Sequence, residues 1–401
     1  MKQFEIPAFY RSPIISKVKA FRKSQDPRKK DFTPTKLDFG NLNLWIPRHF
    51  GFCYGVENAI ERAYKAIDEN KGKRIFLLSQ MIHNPGVNED LIANGIQFLQ
   101  DTSGKQLIDW TELTKEDIVI IPAFGTTVEI ENRLKDIGLD IDKYDTTCPF
   151  VEKVWNRAEK LGNEQHTLII HGKYDHEETR ATFSHATENA PALIVKNMYE
   201  AQVLAEVIKG TKSKDDFYTY FAGKYSEGFD PDIHLQKMGV INQTTMLATE
   251  TQEIAEFLKL TTESIQGKSF SDTRDTLCYS TNDNQSATIG LLKLELDFAI
   301  VVGGYNSSNT THLVELLEDK CPTYFIKDET EINVDGSINS FDIHSHTLNK
   351  VERWLENKAN LSIAITSGAS CPDSTVDRVI EKIMKLVSVE KSIHEVIDQL
   401  S

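Results

Sequence analysis

Cys53, Cys148 and Cys278 each stand between an apolar run and a helical pattern. Cys53 lies in "RHFGFCYGVENAIERAY", directly ahead of the helix pattern. Cys148, in "YDTTCPFVEKVW", follows a short strand expected at "IDKYD" and precedes a proline suited to a first helical turn. Cys278, in "DTLCYSTNDNQSATIGLL", also precedes a helical stretch. Junctions of this kind aim backbone N–H groups and the positive end of a helix dipole at whatever is bound. They favour a thiolate or an anionic cluster. Three thiolates can hold a tetrahedral metal with one open position, or a cubane iron–sulfur cluster with one iron lacking a protein ligand. Spacings of about 95 and 130 residues put one ligand in each third of the chain, and do not choose between the two.

The other two cysteines differ. Cys321, in "EDKCPTYFIKD", follows a helix and precedes a strand, which is the opposite end of a sheet, and is read as structural. Cys371, in "SGASCPDSTV", sits at the functional end of its strand, so position does not separate it from the other three. Five cysteines without a C-x-x-C pair make neither a disulfide framework nor a zinc ribbon, and a reducing cytoplasm suits them best.

Polar groups recur at the same strand ends. His83 stands in "SQMIHNPGVNEDL", His176 and Glu178 in "HGKYDHEETRATF", and Thr244 in "INQTTMLAT". Ser307, Ser308 and Asn309 stand in "GGYNSSNTTHL", and Ser370 in "TSGASCP". Singly each has a bland reading, since Ser and Asn commonly cap helices. As a set they are neutral or cationic donors with one carboxylate, which suits an anion with several oxygens, such as a diphosphate. No Walker-type loop is present to do that work. Glu178 is the one acid placed to move protons, with Thr244 to position it or a water. Near an anionic ligand its pKa should be raised, as a donor requires. A zinc- or iron-dependent hydrolase could use the same three thiols, and so could a redox-sensing anion-binding protein. Glu178 with Thr244 argues against the latter, because a binder has no use for an acid among phosphate donors.

Positioning such residues is the task of the elements around them. Short β-branched runs ("RIFLL", "DIVIIPAF", "TLIIHG", "GVIN", "DFAIVVGG", "LSIAITSG") alternate with amphipathic helical segments. That alternation implies an α/β protein with parallel sheets covered on both faces, and functional loops at the carboxyl ends of the strands. The 401 residues exceed one core. The expected division is a basic arm over 1–40, then three small α/β domains over 41–147, 148–275 and 276–401, the last with a C-terminal helix. The arm reads as mobile, or as the remnant of a targeting segment. Gly210 to Gly239, polar and rich in Gly and Asp, reads as a long surface loop. A net charge of −15 argues against nucleic acid, and no apolar run is long enough for a bilayer.

In order and over nearly the whole chain, these motifs resemble the 4-hydroxy-3-methylbut-2-enyl diphosphate reductases, which end the methylerythritol phosphate route to isoprenoids. The resemblance rests on "GFCYGV", "HNPGVN", "DTTCPFVEKV", "HEETRAT", "NQTT", "DTLCYST", "GGYNSSNTTHL" and "GASCP". It implies three α/β domains in a trefoil around a central [4Fe–4S] cluster, with Cys53, Cys148 and Cys278 as its ligands. His83, His176, Ser307, Ser308, Asn309 and Ser370 would then hold the substrate's diphosphate. Glu178 would be the proton donor with Thr244 beside it. The implied reaction is a two-electron reductive dehydroxylation giving isopentenyl and dimethylallyl diphosphate, with a ferredoxin or flavodoxin as electron donor. Many members carry a further histidine in an "AHG" triplet, where this chain has Phe124 in "IPAFGTTVE". That form resembles the plant and cyanobacterial branch. The implied location is the cytoplasm, or the plastid stroma if the basic arm belongs to a targeting segment.

Overall fold

The computed structural model describes residues 5–271, 276–355 and 360–400. After a 3-10 turn at Ala8–Tyr10 come helix α1 (Pro13–Gln25), strands β1 (Thr35–Asp38) and β2 (Leu42–Ile46), α2 (Tyr54–Glu69), β3 (Ile75–Leu77) and α3 (Pro85–Ala93). Next are β4 (Ile96–Phe98), β5 (Ile118–Ile120), α4 (Val128–Ile137), α5 (Pro149–Asn163), β6 (Thr167–His171), α6 (Glu177–Thr187) and β7 (Ala192–Val195). The middle continues through α7 (Met198–Ile208), α8 (Lys214–Tyr220), α9 (Pro231–His234), β8 (Lys237–Asn242), α10 (Ala248–Glu263) and β9 (Ser269–Ser271). Then follow α11 (Tyr279–Leu291), β10 (Phe298–Val302), α12 (Ser308–Glu318) and β11 (Thr323–Ile326). A hairpin of β12 (Ile338–Asp342) and β13 (Thr347–Val351), then β14 (Leu361–Ser367), α13 (Asp373–Val387) and α14 (Ile393–Asp398), complete the order.

The chain divides into two compact units. The first takes residues 1–57, 83–87 and 279–401, and contains a sheet in the order β1-β2-β14-β10-β11. Its strands from β2 to β11 are parallel, and only β1 runs against its neighbour. β10 and β14 are buried because Val, Ile and Ala dominate both faces, the pattern a sheet covered by helices on each side requires. On one face Leu44, Ile300, Ile363 and Ile365 pack with Val376, Val379 and Ile383 of α13.

The second unit takes residues 58–82 and 88–278 and carries two further sheets, both parallel: β4-β3-β5 and β7-β6-β8-β9. In each, the first strand is central: the next strand joins it on one side and the one after that on the other. Loops diverge at such switch points and leave a crevice at the carboxyl ends. The fold is thus mixed α/β, as the alternating pattern predicts, and among the described residues it has three wholly or mostly parallel sheets beside the antiparallel β12-β13 hairpin. Among the described residues no helix is long and apolar enough to cross a membrane.

Three local expectations need correcting. Residues from Ser12 onward do not form a mobile arm. Ile14, Ile15 and Val18 of α1 are buried in the first unit's core, and β1 extends its sheet. The apolar spacing in "SPIISKV" and the Ser12 cap outweigh the surrounding lysines. The segment Gly210 to Gly239 is not a plain loop, because it forms α8 and α9 and places Phe217 of α8, with Phe221 and Phe229 from the stretch between the two helices, in the second unit's core. "IDKYD" is not a strand but a 3-10 turn at Asp142–Tyr144, with one parallel bridge between Asp145 and Ile121. As for the four-part division, β2 and β14 pair in one sheet although they belong to the expected first and last domains.

If α1 is core rather than arm, Ile15→Ala should cost about 2–5 kcal/mol. Denaturant unfolding of the full chain checks this. A loss below about 0.5 kcal/mol, typical of surface sites, would return the segment to the surface.

Candidate active site

In the first unit three neighbouring parallel strands, β2, β14 and β10, end in the loops that carry Cys53, Ser370 and Ser307–Asn309. Ala369 ties two of them together. Its carbonyl accepts from the Cys53 N–H at 3.3 Å, and its own N–H donates to Asn309 Oδ1 at 2.8 Å. Asn309 is buried, and with Oδ1 so engaged its Nδ2 has no hydrogen-bond partner. An unmade donor in the interior is costly, so this one is suited to an anionic ligand. Ser307 caps α12, accepting from the Thr310 N–H at 3.3 Å and from Thr310 Oγ1 at 2.9 Å, and Ser308 opens the first turn. Ser370 Oγ donates to the His83 carbonyl at 3.1 Å. Gly304 lies so close that any Cβ there would collide with that same carbonyl. Ser307, Ser308, Asn309 and Ser370 therefore stand on one set of strand ends, and the His83 backbone, in the same unit, lies against them.

In the second unit β6 and β8 are adjacent, and they deliver Glu178 and Thr244. Glu178, in the first turn of α6, is 1% exposed. Its carboxylate accepts from the Thr244 N–H at 2.5 Å and from Thr244 Oγ1 at 2.9 Å. Burial outweighs these two bonds and pushes its pKa up to about 7. Relative to the ordinary 4.5, that makes the ionised form roughly 3 kcal/mol less favourable. Near neutrality the group is poised between acid and carboxylate. The Thr244 carbonyl accepts from the Cys278 N–H at 3.4 Å, so the acid and a cysteine share one anchor. His176 caps α6, its Nδ1 accepting from the Glu178 N–H at 3.2 Å. A neutral ring in that role carries its proton on Nε2. Phe124 meets the same ring edge-on at 5.7 Å between centroids. Where a histidine would add a donor, this chain packs an aromatic wall against His176.

Cys148 is the N-cap residue of α5, with Pro149 in the first turn as the sequence predicts, and its N–H donates to the Ala123 carbonyl at 3.0 Å. Cys53 directly precedes α2 and Cys278 directly precedes α11. Burial pushes the Cys53 thiol up, while the Val56 and Gly55 N–H groups oppose it. Those N–H groups are the donors a thiolate or an anionic cluster would use. The two remaining cysteines lie elsewhere. Cys371 is fully buried in the first unit's hydrophobic core with its thiol pushed up to about 12, and Cys321 packs in the cluster around Phe325. Both behave as small apolar residues. Within either unit, no three His, Cys, Asp or Glu side chains among the described residues gather as a metal site. Cys53 lies in the first unit, and Cys148 and Cys278 lie in the second.

Sequence reasoning did not find Ala369, Ala123 or Gln243. The first two act through their backbones, which leave no signature in residue type. Gln243 Oε1 accepts from Thr179 Oγ1 at 3.0 Å and from the Lys173 N–H at 3.1 Å, pinning the loop before α6. Its place inside "NQTT" was the available signal.

Cysteines and a buried acid at the carboxyl ends of parallel strands define the class: an α/β protein with thiols and a titratable acid on its functional loops. The sequence model of the LytB protein family matches residues 45–384, and the chain belongs to that family. It is 40% identical over 358 residues to the 4-hydroxy-3-methylbut-2-enyl diphosphate reductase of Microcystis aeruginosa, covering 88% of this chain and 87% of that one. It is 39% identical over 356 residues to the reductase of the same name from Synechococcus sp. WH7803, with the same coverage of each. Among solved structures, the E-1-hydroxy-2-methyl-but-2-enyl-4-diphosphate reductase from Plasmodium falciparum shares the fold at a TM-score of 0.62 and 22% identity, over 86% of this chain and 87% of that one. A second solved structure, titled as (E)-4-hydroxy-3-methyl-but-2-enyl diphosphate reductase, gives 0.52 at 23% identity, over 85% of this chain and 98% of that one.

The Glu178 environment has a measurable consequence. Because its folded pKa is raised, its contribution to stability is full below 4.5 and lost as pH rises through about 7. In the isolated chain a protonated-carboxyl infrared band should titrate near pH 7 and vanish in Glu178→Gln. Thr244→Val deletes one donor to the carboxylate and should move that midpoint upward. A midpoint near 4.5 would show that the site is wetter than described.

Proposed function

We propose that this chain catalyses the reductive dehydroxylation of 4-hydroxy-3-methylbut-2-enyl diphosphate to isopentenyl and dimethylallyl diphosphate, using a [4Fe–4S] cluster held by Cys53, Cys148 and Cys278. Support comes from family membership at about 40% identity over most of the chain. The observation that carries the chemistry is the join at Thr244, where one residue holds a buried acid through its N–H and Oγ1 and a cysteine through its carbonyl. The cysteines fit the group, since each stands at a helix start where backbone N–H groups favour negative charge. When bound, the cluster would supply the substrate with electrons one at a time, received from a ferredoxin- or flavodoxin-type donor.

The protein's own residues account for the rest. Asn309 Nδ2, the hydroxyls of Ser307 and Ser308, and the positive end of α12 are donors to diphosphate oxygens, and Ser370 joins them when its hydroxyl turns from the His83 carbonyl. His176 adds an Nε2–H donor, and His83 is the remaining diphosphate ligand. Glu178 delivers the proton that releases the hydroxyl as water when the C–O bond breaks, and a second proton reaches the allylic carbon by way of the bound diphosphate. Thr244 holds the Glu178 carboxylate through the two bonds it already makes. Proton delivery should therefore fail on the alkaline side of about pH 7.

Anaerobically purified protein should contain iron and sulfide near four of each per chain, and should oxidise a reduced viologen dye only when substrate is added. Cys53→Ser, Cys148→Ser and Cys278→Ser should each lose iron and activity together, while Cys371→Ala should lose neither. Glu178→Gln should keep the cluster absorption and lose about 10²- to 10⁴-fold in kcat. Asn309→Ala should weaken substrate binding with the absorption unchanged. Iron-free oxygen-free preparations, or full turnover by Glu178→Gln, would overturn the assignment.

A further inference from the structure

All five residues that precede Cys53 are touched by the N-terminal segment. The Arg48 guanidinium donates to the Asp26 carbonyl at 3.1 Å and lies 3.7 Å from its carboxylate. The His49 ring meets Phe32 at 5.7 Å between centroids. The Lys19 ammonium sits 4.7 Å over the Phe50 ring. Gly51, at φ +74, lies so close to Asp373 and Lys19 that a Cβ would collide with the Asp373 carboxylate. Tyr10 packs edge-on against Phe52 at 5.8 Å.

The clamp is itself anchored. Lys19 Nζ donates to both Asp373 oxygens at 2.8 Å, joining α1 to the first turn of α13. Four residues further along α13, the buried Asp377 accepts from Ser12 Oγ and from the Ile14 and Ile15 N–H groups at 3.1 Å each. One helix thus caps the start of another through a carboxylate, which burial would otherwise penalise. α13 begins four residues after Ala369, whose carbonyl holds the Cys53 N–H.

We infer that residues 10–32 form a clamp that fixes the backbone of residues 48–53, with Lys19 and Tyr10 as positioning residues for the Cys53 thiol. The inference deepens the proposed function by saying what holds one cluster ligand in place, and it rests on Cys53 being such a ligand. A short loop carrying a ligand would otherwise pay ordering entropy each time the cluster binds. With the clamp in place, that ordering exists before the cluster arrives.

Hydrogen exchange read by mass spectrometry on the full-length, cluster-free chain tests it. In Lys19→Met and in Tyr10→Ala the peptide spanning 48–53 should exchange about tenfold faster or more, while peptides from α5 stay unchanged. Lys19→Arg, which can keep the ion pair and the cation over Phe50, should restore protection. In the cluster-loaded chain Lys19→Met should release iron to a chelator about tenfold faster than wild type. Unchanged exchange at 48–53 in both variants would overturn the clamp. So would acceleration spread evenly over the first unit's strands, because that is general destabilisation. If loaded wild-type chain holds no iron, the proposed function fails, while the exchange result still decides the clamp.

Discussion

Each of the three candidate ligand cysteines is held by the same backbone bond. Its N–H donates to a carbonyl in the loop beyond a parallel neighbouring strand or bridge: Cys53 to Ala369 beyond β14, Cys148 to Ala123 beyond Ile121, Cys278 to Thr244 beyond β8. The parallel pairing in effect continues for one more bond past the end of regular structure. Parallel strands point every carboxyl end the same way, so a cysteine fixed there also starts the following helix. The thiol's place is therefore set by main-chain geometry that belongs to the sheet. Side-chain chemistry is left over for binding.

The anchors do more than hold cysteines. Ala369 also donates to Asn309, and in consuming that side chain's oxygen it leaves the amide nitrogen as the unpartnered half. Thr244 also holds both oxygens of Glu178. One residue therefore couples a cysteine to an anion donor in the first unit, and one couples a cysteine to an acid in the second. Burial and hydrogen bonding pull the Glu178 pKa in opposite directions, and burial wins by enough to keep a proton available near neutrality. Losing the Thr244 hydroxyl would tip that balance further and fix the group as a neutral acid.

Much of this was legible in the chain because it is local. Pro149 after Cys148, the serines before α12 and the apolar runs before each functional loop are short-range signals, and helices and strands obey them. Two kinds of feature were hidden. Pairings between distant segments, such as β2 with β14, depend on the assembled sheet rather than on any window of sequence. Backbone anchors such as Ala369 and Ala123 act through groups that every residue possesses. The N-terminal segment was misread for a different reason. Its lysines dominate the composition, yet Ile14, Ile15 and Val18 occupy one face of α1, and that face decides its fate. Similarly, the Ser213 and Asp216 capping box announces α8 within a stretch whose Gly and Asp content suggested a loop.

The basic character of α1 then takes on a different meaning. A lysine on a mobile arm contributes a diffuse charge, screened by salt within roughly a Debye length. Lys19 instead has two carboxylate oxygens and an aromatic face as fixed partners, and the ammonium and the carboxylate occupy the space beside Gly51. Any side chain at position 51 would have to displace the Asp373 carboxylate, and the left-handed φ there already disfavours one. The glycine before Phe52 and Cys53 is thus required by the Asp373 carboxylate of α13, which Lys19 of α1 holds in place. That gives "GFC" two separate physical constraints, a backbone position that must stay bare on one side and a thiol that must start a helix on the other.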